Sequence, residues 1–274
     1  MNRLDAGVIR RRIDEATVAR LGELEVFAEI ESTNSYLMQQ PGPSTGQVRV
    51  AATDNQTAGR GRHGRTWQSP PGSGICLSMA YTFAVPPNNL PALTLATGLG
   101  VIETLRQISV TGVQLKWPND LIAMDGKLGG ILTEALTQRD GALTIVTGIG
   151  INIDLDRRSD EIVATVGTPR AVDLKSHVAE LPGWNQIAAS LVSGLSKTFV
   201  DYEDGGFAPF RHQWSEHDWL FGRELTVDTP QRQITGVGAG IADDGALLID
   251  TQSEGRHRVT SGSVLMAGAS VVAV

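Results

Sequence analysis

Residues 114–131 read Gln114-Leu115-Lys116-Trp117-Pro118-Asn119-Asp120-Leu121-Ile122-Ala123-Met124-Asp125-Gly126-Lys127-Leu128-Gly129-Gly130-Ile131, and the punctuation inside this stretch decides the fold class. Pro118 closes a strand over Gln114 to Trp117, because proline has no amide to give to a ladder. Short apolar runs follow over Leu121 to Met124, Lys127 to Leu136 and Leu143 to Ile153, with Asp125-Gly126 and Asp140-Gly141 as the hairpin turns between them. Strands joined by such short turns form an antiparallel meander.

Outward from the meander, strands and helices are mixed. Leu4 to Leu24 has roughly helical spacing and predicts one or two short helices, and Val26 to Ile30 reads as a strand. Ser32-Thr33-Asn34 can cap a helix through Tyr36 and Met38. Gln47 to Thr53 and Gly74 to Tyr81 read as strands, Leu90 to Ile108 and Trp184 to Tyr202 as helices, with a polar stretch from Asp154 to Pro182. This order predicts an α+β layer with a mixed, largely antiparallel sheet. Near Trp219 to Arg223 the texture changes. Short strands over Glu224 to Asp228, Gln233 to Ile241, Ala246 to Asp250 and His257 to Ser261, with a hairpin at Asp243-Asp244-Gly245, predict a small β-barrel. The expected division is residues 1–222 and 223–274.

The 274 residues are 41% apolar and 19% charged, enough for a core and more than one folding unit. A net charge of −7 counts against wholesale recruitment of nucleic acid or an anionic membrane. One cysteine, Cys76, excludes an intrachain disulfide and fits a reducing cytoplasm. With no apolar run of membrane-spanning length and no secretory signal, the chain reads as soluble and cytoplasmic.

Gly59-Arg60-Gly61-Arg62-His63-Gly64-Arg65 packs three arginines and three glycines into seven residues. Glycine lets backbone approach a ligand, and arginine forks match phosphate and carboxylate oxygens. A flexible nucleic-acid-binding tail has the same composition. This stretch, however, is single, lies between two strands and runs into Trp67 and the Pro70-Pro71-Gly72 turn, so a ligand loop, mobile when empty, is the better reading. Lys127 before Leu128-Gly129-Gly130 is either a ligand contact or a solvated charge after a turn. Lys116-Trp117-Pro118-Asn119-Asp120 is either a turn that presents Asn119 and Asp120 or a capped turn around a packed Trp. Gly148-Ile149-Gly150-Ile151-Asn152 ends a strand with room for a ligand or for tightly packed backbone. His212, Glu216 and His217 lack the zinc-protease spacing and read as a solvated helix face; no metal site is expected from protein ligands alone.

Taken together and in order, Ser32-Thr33-Asn34, Gln56-Thr57-Ala58 with the Gly/Arg loop, Lys116 to Asp120, Lys127 to Ile131 and Gly148 to Asn152 resemble the biotin protein ligase family, from about Phe27 to Gly268. The resemblance implies a catalytic domain of the class II aminoacyl-tRNA synthetase and biotin ligase type, followed by an SH3-like barrel. It implies that MgATP activates biotin as biotinyl-5′-AMP, and that a lysine of the biotin carboxyl carrier protein of acetyl-CoA carboxylase, or of another biotin-dependent carboxylase, then takes the biotinyl group. By the same resemblance Ser32, Thr33, Asn34, Gln56, Gly59, Arg60, Gly61, Arg62, Lys127 and Gly130 contact biotin. Arg60, Arg62, Arg65, Trp67, Lys116, Asn119 and Asn152 contact the nucleotide. Lys127, Arg62 and Asp120 are the implied catalytic set, with Asp120 serving magnesium or the incoming lysine. The roughly 25 residues before the first strand are short of a winged helix, so operator binding is not expected, and the chain is read as a monomer or homodimer. Two positions depart from the family: Gly167-Thr168-Pro169-Arg170 has no tryptophan to stack on adenine, and no arginine stands near Met266. A lipoate or octanoate ligase of the same superfamily is the alternative, and a nucleic-acid-binding module is the alternative from another class.

Overall fold

A computed structural model describes residues 3–87, 89–138, 141–155 and 169–266; Asp140, Gly167, Thr168 and Gly268, named above, lie outside them. Asp5 and Asp14 each accept a bond from the amide three residues on and start two short helices, α1 (Ala6–Arg10) and α2 (Glu15–Arg20). The helical stretch ends at Arg20, not Leu24: Leu21 is buried and begins β1 (Leu21–Phe27), which runs parallel to β2 (Val48–Thr53) after the intervening α3 (Thr33–Gln39). All other neighbours in the sheet are antiparallel. They comprise β3 (Gly74–Phe83), β4 (Gln114–Lys116), β5 (Asp120–Ala123), β6 (Gly126–Thr137) and β7 (Leu143–Asn152), in the order β1-β2-β3-β7-β6-β5-β4.

Every residue of β3 is buried, so the strand is covered on both faces. Ile75, Leu77, Met79, Tyr81 and Phe83 belong to the main core, with α4 (Leu90–Gln107) and, after the short α5 (Leu174–His177), α6 (Trp184–Gly205). The alternate residues face the other way, as strand periodicity requires. Ala80 there joins Ala51, Val146 and Leu37 of α3 in a small second cluster. The helix α3 covers only part of this face; the remainder carries the cavity described below. In α7 (Ala208–His217), Phe210 and Trp214 are buried while His212 and Glu216 are exposed, as a solvated face requires.

The β5–β6 turn falls at Met124-Asp125 (φ 48° and 54°), one residue before the expected Asp125-Gly126. Gly126 serves close packing instead: a Cβ there would stand 2.9 Å from the Arg170 carbonyl and overlap Val172. Asp125 Oδ1 accepts from Trp219 Nε1 at 2.9 Å and Arg223 Nη2 at 3.1 Å, tying this hairpin to the start of the C-terminal segment.

That segment is a five-stranded antiparallel sheet of β8 (Glu224–Asp228), β9 (Gln233–Ile241), β10 (Leu247–Thr251), β11 (Gly255–Val259) and β12 (Ser263–Met266), in the order β11-β10-β9-β8-β12. β11 starts two residues before the expected His257, and β12 was not expected. Gly245 has φ 81°, as its turn demands, and its carbonyl accepts from the indole of Trp117 at 3.0 Å. Trp117 thus pins the small sheet to the large one; the Trp117-Pro118 peptide is cis.

Candidate functional site

A cavity of about 360 Å³ opens on the face of β3, β7 and β6 that α3 leaves uncovered. One end of it is the amino terminus of α3. Ser32 caps the helix, its Oγ accepting from the Ser35 amide at 3.3 Å. Thr33 gives its amide to Gln56 Oε1 at 2.8 Å, and its hydroxyl lies 3.1 Å from that oxygen and 2.7 Å from Ser78 Oγ. Ser78 donates to Asn34 Oδ1 at 2.6 Å, while Asn34 Nδ2 donates to the Leu132 carbonyl at 3.3 Å and to Glu134 Oε2 at 3.0 Å. Ser32, Thr33 and Asn34 are each 3% exposed, so this is a buried, partnered polar chain of the kind that fixes one geometry. Ser78 and Glu134 were not expected. The available signal for Ser78 was a hydroxyl inside an otherwise apolar strand.

The floor is made by glycines. Gly130 of β6 and Gly150 of β7 are direct cross-strand partners, and the Trp67 ring lies over them. A Cβ on Gly150 would stand 2.6 Å from Trp67 Cζ2. Gly148, two residues earlier on the same face, makes room for Asn34, whose Oδ1 a Cβ there would overlap. The loop delivers Trp67 through a closed ladder: Gly61 N donates to Arg65 O at 2.7 Å and Trp67 N to Gly59 O at 2.9 Å. Gly59 packs beneath the Trp67 carbonyl and does not line the cavity, unlike every other expected site residue. Cys76 lines the floor, and burial pushes its thiol up to about 11, which leaves it protonated and unreactive.

The other end is cationic. β5 pairs Leu121 with Gly129 but Ile122 with Lys127, leaving Leu128 as an extra residue, a β-bulge. In a regular strand Lys127 and Gly130 would face opposite sides. The bulge turns Lys127 to the side of Gly130, where its Nζ stands 2.7 Å from Asp120 Oδ1 and 5.8 Å from the centre of the Trp67 ring. Arg62 Nη1 reaches Asn119 Oδ1 at 3.4 Å, and Asn119 Nδ2 is anchored on the Ile131 carbonyl at 3.0 Å. Burial lowers the Arg62 pKa, against which the Asp120 carboxylate favours the cation.

Three expected nucleotide contacts line the cavity and also bond to protein groups. Lys116, 3% exposed, gives Nζ to the Val264 carbonyl of β12 at 3.0 Å; burial lowers its pKa and Asp120 opposes that. Arg65 Nη2 donates to Ser263 Oγ at 3.2 Å. Asn152 Nδ2 donates to the carbonyls of Lys127 at 3.3 Å and Val172 at 3.0 Å, holding β6 against residues 169–172. Through Gly262 to Leu265 the small sheet therefore forms a wall of the cavity, even without an arginine near Met266; Pro169 and Ala171 add another part of the lining.

The profile of the Biotin/lipoate A/B protein ligase family matches residues 26–152, and that of the Biotin protein ligase C terminal domain matches residues 220–266. The chain is 35% identical over 248 residues to the Bifunctional ligase/repressor BirA of Salmonella typhimurium, covering 90% of this chain and 73% of that protein. It is 30% identical to the Biotin--[acetyl-CoA-carboxylase] ligase of Mycobacterium tuberculosis, covering 83% of each. Among solved structures, the biotin protein ligase from Aquifex aeolicus in complex with biotin and ATP superposes with a TM-score of 0.72 at 28% identity, over 90% of this chain and 100% of that one. By sequence along most of its length and by the fold of both its sheets, the chain belongs to the biotin protein ligase family.

Proposed function

We propose that this chain condenses biotin with ATP to give biotinyl-5′-AMP and then passes the biotinyl group to one lysine of a biotin carboxyl carrier protein. The observation that carries the reading is a single cavity with two unlike ends, a buried donor-and-acceptor chain at Thr33, Asn34, Gln56 and Ser78 and a cationic end at Lys127 and Arg62. A ureido ring needs both donors and acceptors, which the first end offers. A carboxylate attacking a phosphate needs cations between two repelling anions, which the second end offers. In the first step a biotin carboxylate oxygen bonds to the α-phosphorus as the bond to the β-phosphate oxygen breaks, and pyrophosphate leaves. In the second, the carrier amine attacks the acyl carbon, the bond to AMP breaks, and the amine gives up a proton; Asp120 is the carboxylate nearest the reacting end.

Magnesium enters with ATP. No group of three His, Cys, Asp or Glu side chains among the described residues could hold an ion by itself, so the metal is carried mainly by the phosphates of ATP. Catalysis falls mainly to residues 1–222, with residues 223–274 as the second domain, whose Gly262 to Leu265 close the cavity, in the cytoplasm, where ATP and carboxylase carriers occur together. The test is pyrophosphate release with ATP and each of biotin, lipoate and octanoate, followed by transfer of labelled biotin to a purified apo carrier domain. Faster release with lipoate or octanoate than with biotin refutes the reading.

Two variants probe the cavity separately. A Cβ on Gly130 would meet Trp67 Cζ3 at 3.6 Å, Lys127 Cε at 3.7 Å and Asp120 Oδ1 at 3.8 Å, ordinary contacts that the fold tolerates. Gly130→Ala is expected to keep its Tm and raise the biotin KM by roughly 10-fold, about 1.4 kcal/mol, because the methyl enters the space between Trp67 and Lys127. Arg62→Gly is expected to make the adenylate but release it, since the guanidinium spans from the loop to Asn119. Escaped adenylate acylates exposed lysines, so labelling of an unrelated lysine-rich protein should rise above wild type. A variant that labels no more than wild type removes Arg62 from retention of the intermediate.

A further inference from the structure

Glu134 has no part in the chemistry above, yet both the head end of the cavity and the Gly/Arg loop are fastened to it. Its Oε2 accepts from Asn34 Nδ2 at 3.0 Å and from Arg60 Nη1 at 3.1 Å, and its Oε1 accepts from Arg60 Nη2 at 2.7 Å. Arg60 Nη1 also reaches Ser35 Oγ at 3.3 Å, so the guanidinium spans from the strand to α3. Two parallel N–H···O bonds fix the plane of the fork as well as its distance. The bond from Asn34 fixes something different. A carboxylate only accepts, as does the Leu132 carbonyl to which the same nitrogen donates at 3.3 Å, so together they hold the Asn34 amide nitrogen on this side and turn Oδ1 to Ser78.

We propose that Glu134 is a positioning residue that, with the Leu132 carbonyl, sets the amide orientation of Asn34 and moors the Arg60 limb of the loop to β6, so that the head pocket and the loop above it are ordered together. Lys127 and Arg62 have their own partners, Asp120 and Asn119, and do not depend on it. Loss of the carboxylate charge therefore acts on ligand capture and not on the reacting end. Glutamine at this position keeps the shape but turns an NH2 toward either Asn34 or the Arg60 fork, both of which are donors, and it replaces a bidentate ion pair with hydrogen bonding to one uncharged oxygen. The kinetic consequence rests on the biotin reading; the structural consequence does not.

The experiment uses the full chain as Glu134→Gln and as Arg60→Gln, which removes the same ion pair from the solvent side, where the Arg60 side chain is 46% exposed. Limited trypsin digestion of the ligand-free protein reads cleavage after Arg62 and Arg65, which tracks the population of the open loop when opening is fast. Cleavage at both arginines is expected to rise by about 5-fold or more in each variant, with Tm within about 2 °C of wild type. In Glu134→Gln the biotin KM is expected to rise by roughly 10-fold with kcat within about twofold, the split expected when only binding is lost. Unchanged loop cleavage in both variants overturns the proposal, and so does faster cleavage at all arginines with a fallen Tm. So does a fall in kcat at constant KM. If the wild type releases no pyrophosphate with biotin, the biotin reading fails while the digestion still decides the mooring.

Discussion

Replacing Lys127 with alanine is expected to slow biotin-dependent pyrophosphate release by on the order of 100-fold or more, while leaving the fold intact. The side chain is 27% exposed and its ion pair with Asp120 is only partly shielded, so its contribution to stability is about 1 kcal/mol or less. Its contribution to the reaction is larger, for a reason of sign. With Lys127 present, the 13% exposed Asp120 carboxylate is neutralised at 2.7 Å. Without it, Asp120 loses its directly paired cation and keeps only the weaker influence of Arg62 and Lys116, so its negative charge bears more strongly on the place where a carboxylate and a phosphate must meet, and the variant both loses an attraction and gains a repulsion. Lys127→Ala combined with Asp120→Asn should therefore recover part of the rate, which a simple loss of one contact does not predict. The measurement is single-turnover adenylate formation at saturating ATP, beside a melting curve. Turnover at half the wild-type rate would take Lys127 out of the reaction altogether.

This logic was partly legible in the sequence. Lys127 and Asp120 stand in motifs whose glycine and proline punctuation marks strand ends, and the meander that carries them follows from short apolar runs and turns. What brings them together is the bulge at Leu128, and nothing in Leu128-Gly129-Gly130 distinguishes a bulged strand from a regular one. The turn is displaced for a related reason: Gly126 looks like a turn glycine but is a glycine because Val172 and the Arg170 carbonyl leave no room for a Cβ. β12 escapes notice because four residues of ordinary composition give no period to read. Glu134 and Ser78 escape because their partners, Asn34 and Arg60, lie 44 to 100 positions away in the chain. Lys116 was legible as a functional cation, but its destination on the Val264 carbonyl, 148 residues on, depends on how the two sheets dock. Side-chain chemistry was readable where the motif supplied both partners, and not where tertiary contact supplied one.

The second large effect is expected at a residue with no side chain. Gly148 pairs with Ser78 on one side and Leu132 on the other, beneath Asn34. A Cβ there would overlap Asn34 Oδ1, stand 2.9 Å from Asn34 Cγ and come within 3.1 Å of Ser78 Oγ. Asn34 is 3% exposed and has nowhere to go without giving up its bonds to Ser78, Leu132 and Glu134. Overpacking of this kind costs about 1–3 kcal/mol. At about 2 kcal/mol, Gly148→Ala is expected to lower Tm by roughly 4–8 °C in a domain of this size. The effect on biotin is expected to be larger, a rise in KM on the order of 100-fold, because the whole donor-and-acceptor pattern of the head end shifts with Asn34 and buried polar groups lose their partners. Adding Asn34→Ala separates the two effects. It removes the overlap but leaves Ser78 and the Leu132 carbonyl without their partner, so Tm should return only in part, while KM should stay high because the amide itself is missing. If the double variant regains both stability and affinity, Asn34 does not contact the substrate and Gly148 matters only for packing; if Gly148→Ala binds biotin normally, the head end lies elsewhere in the cavity.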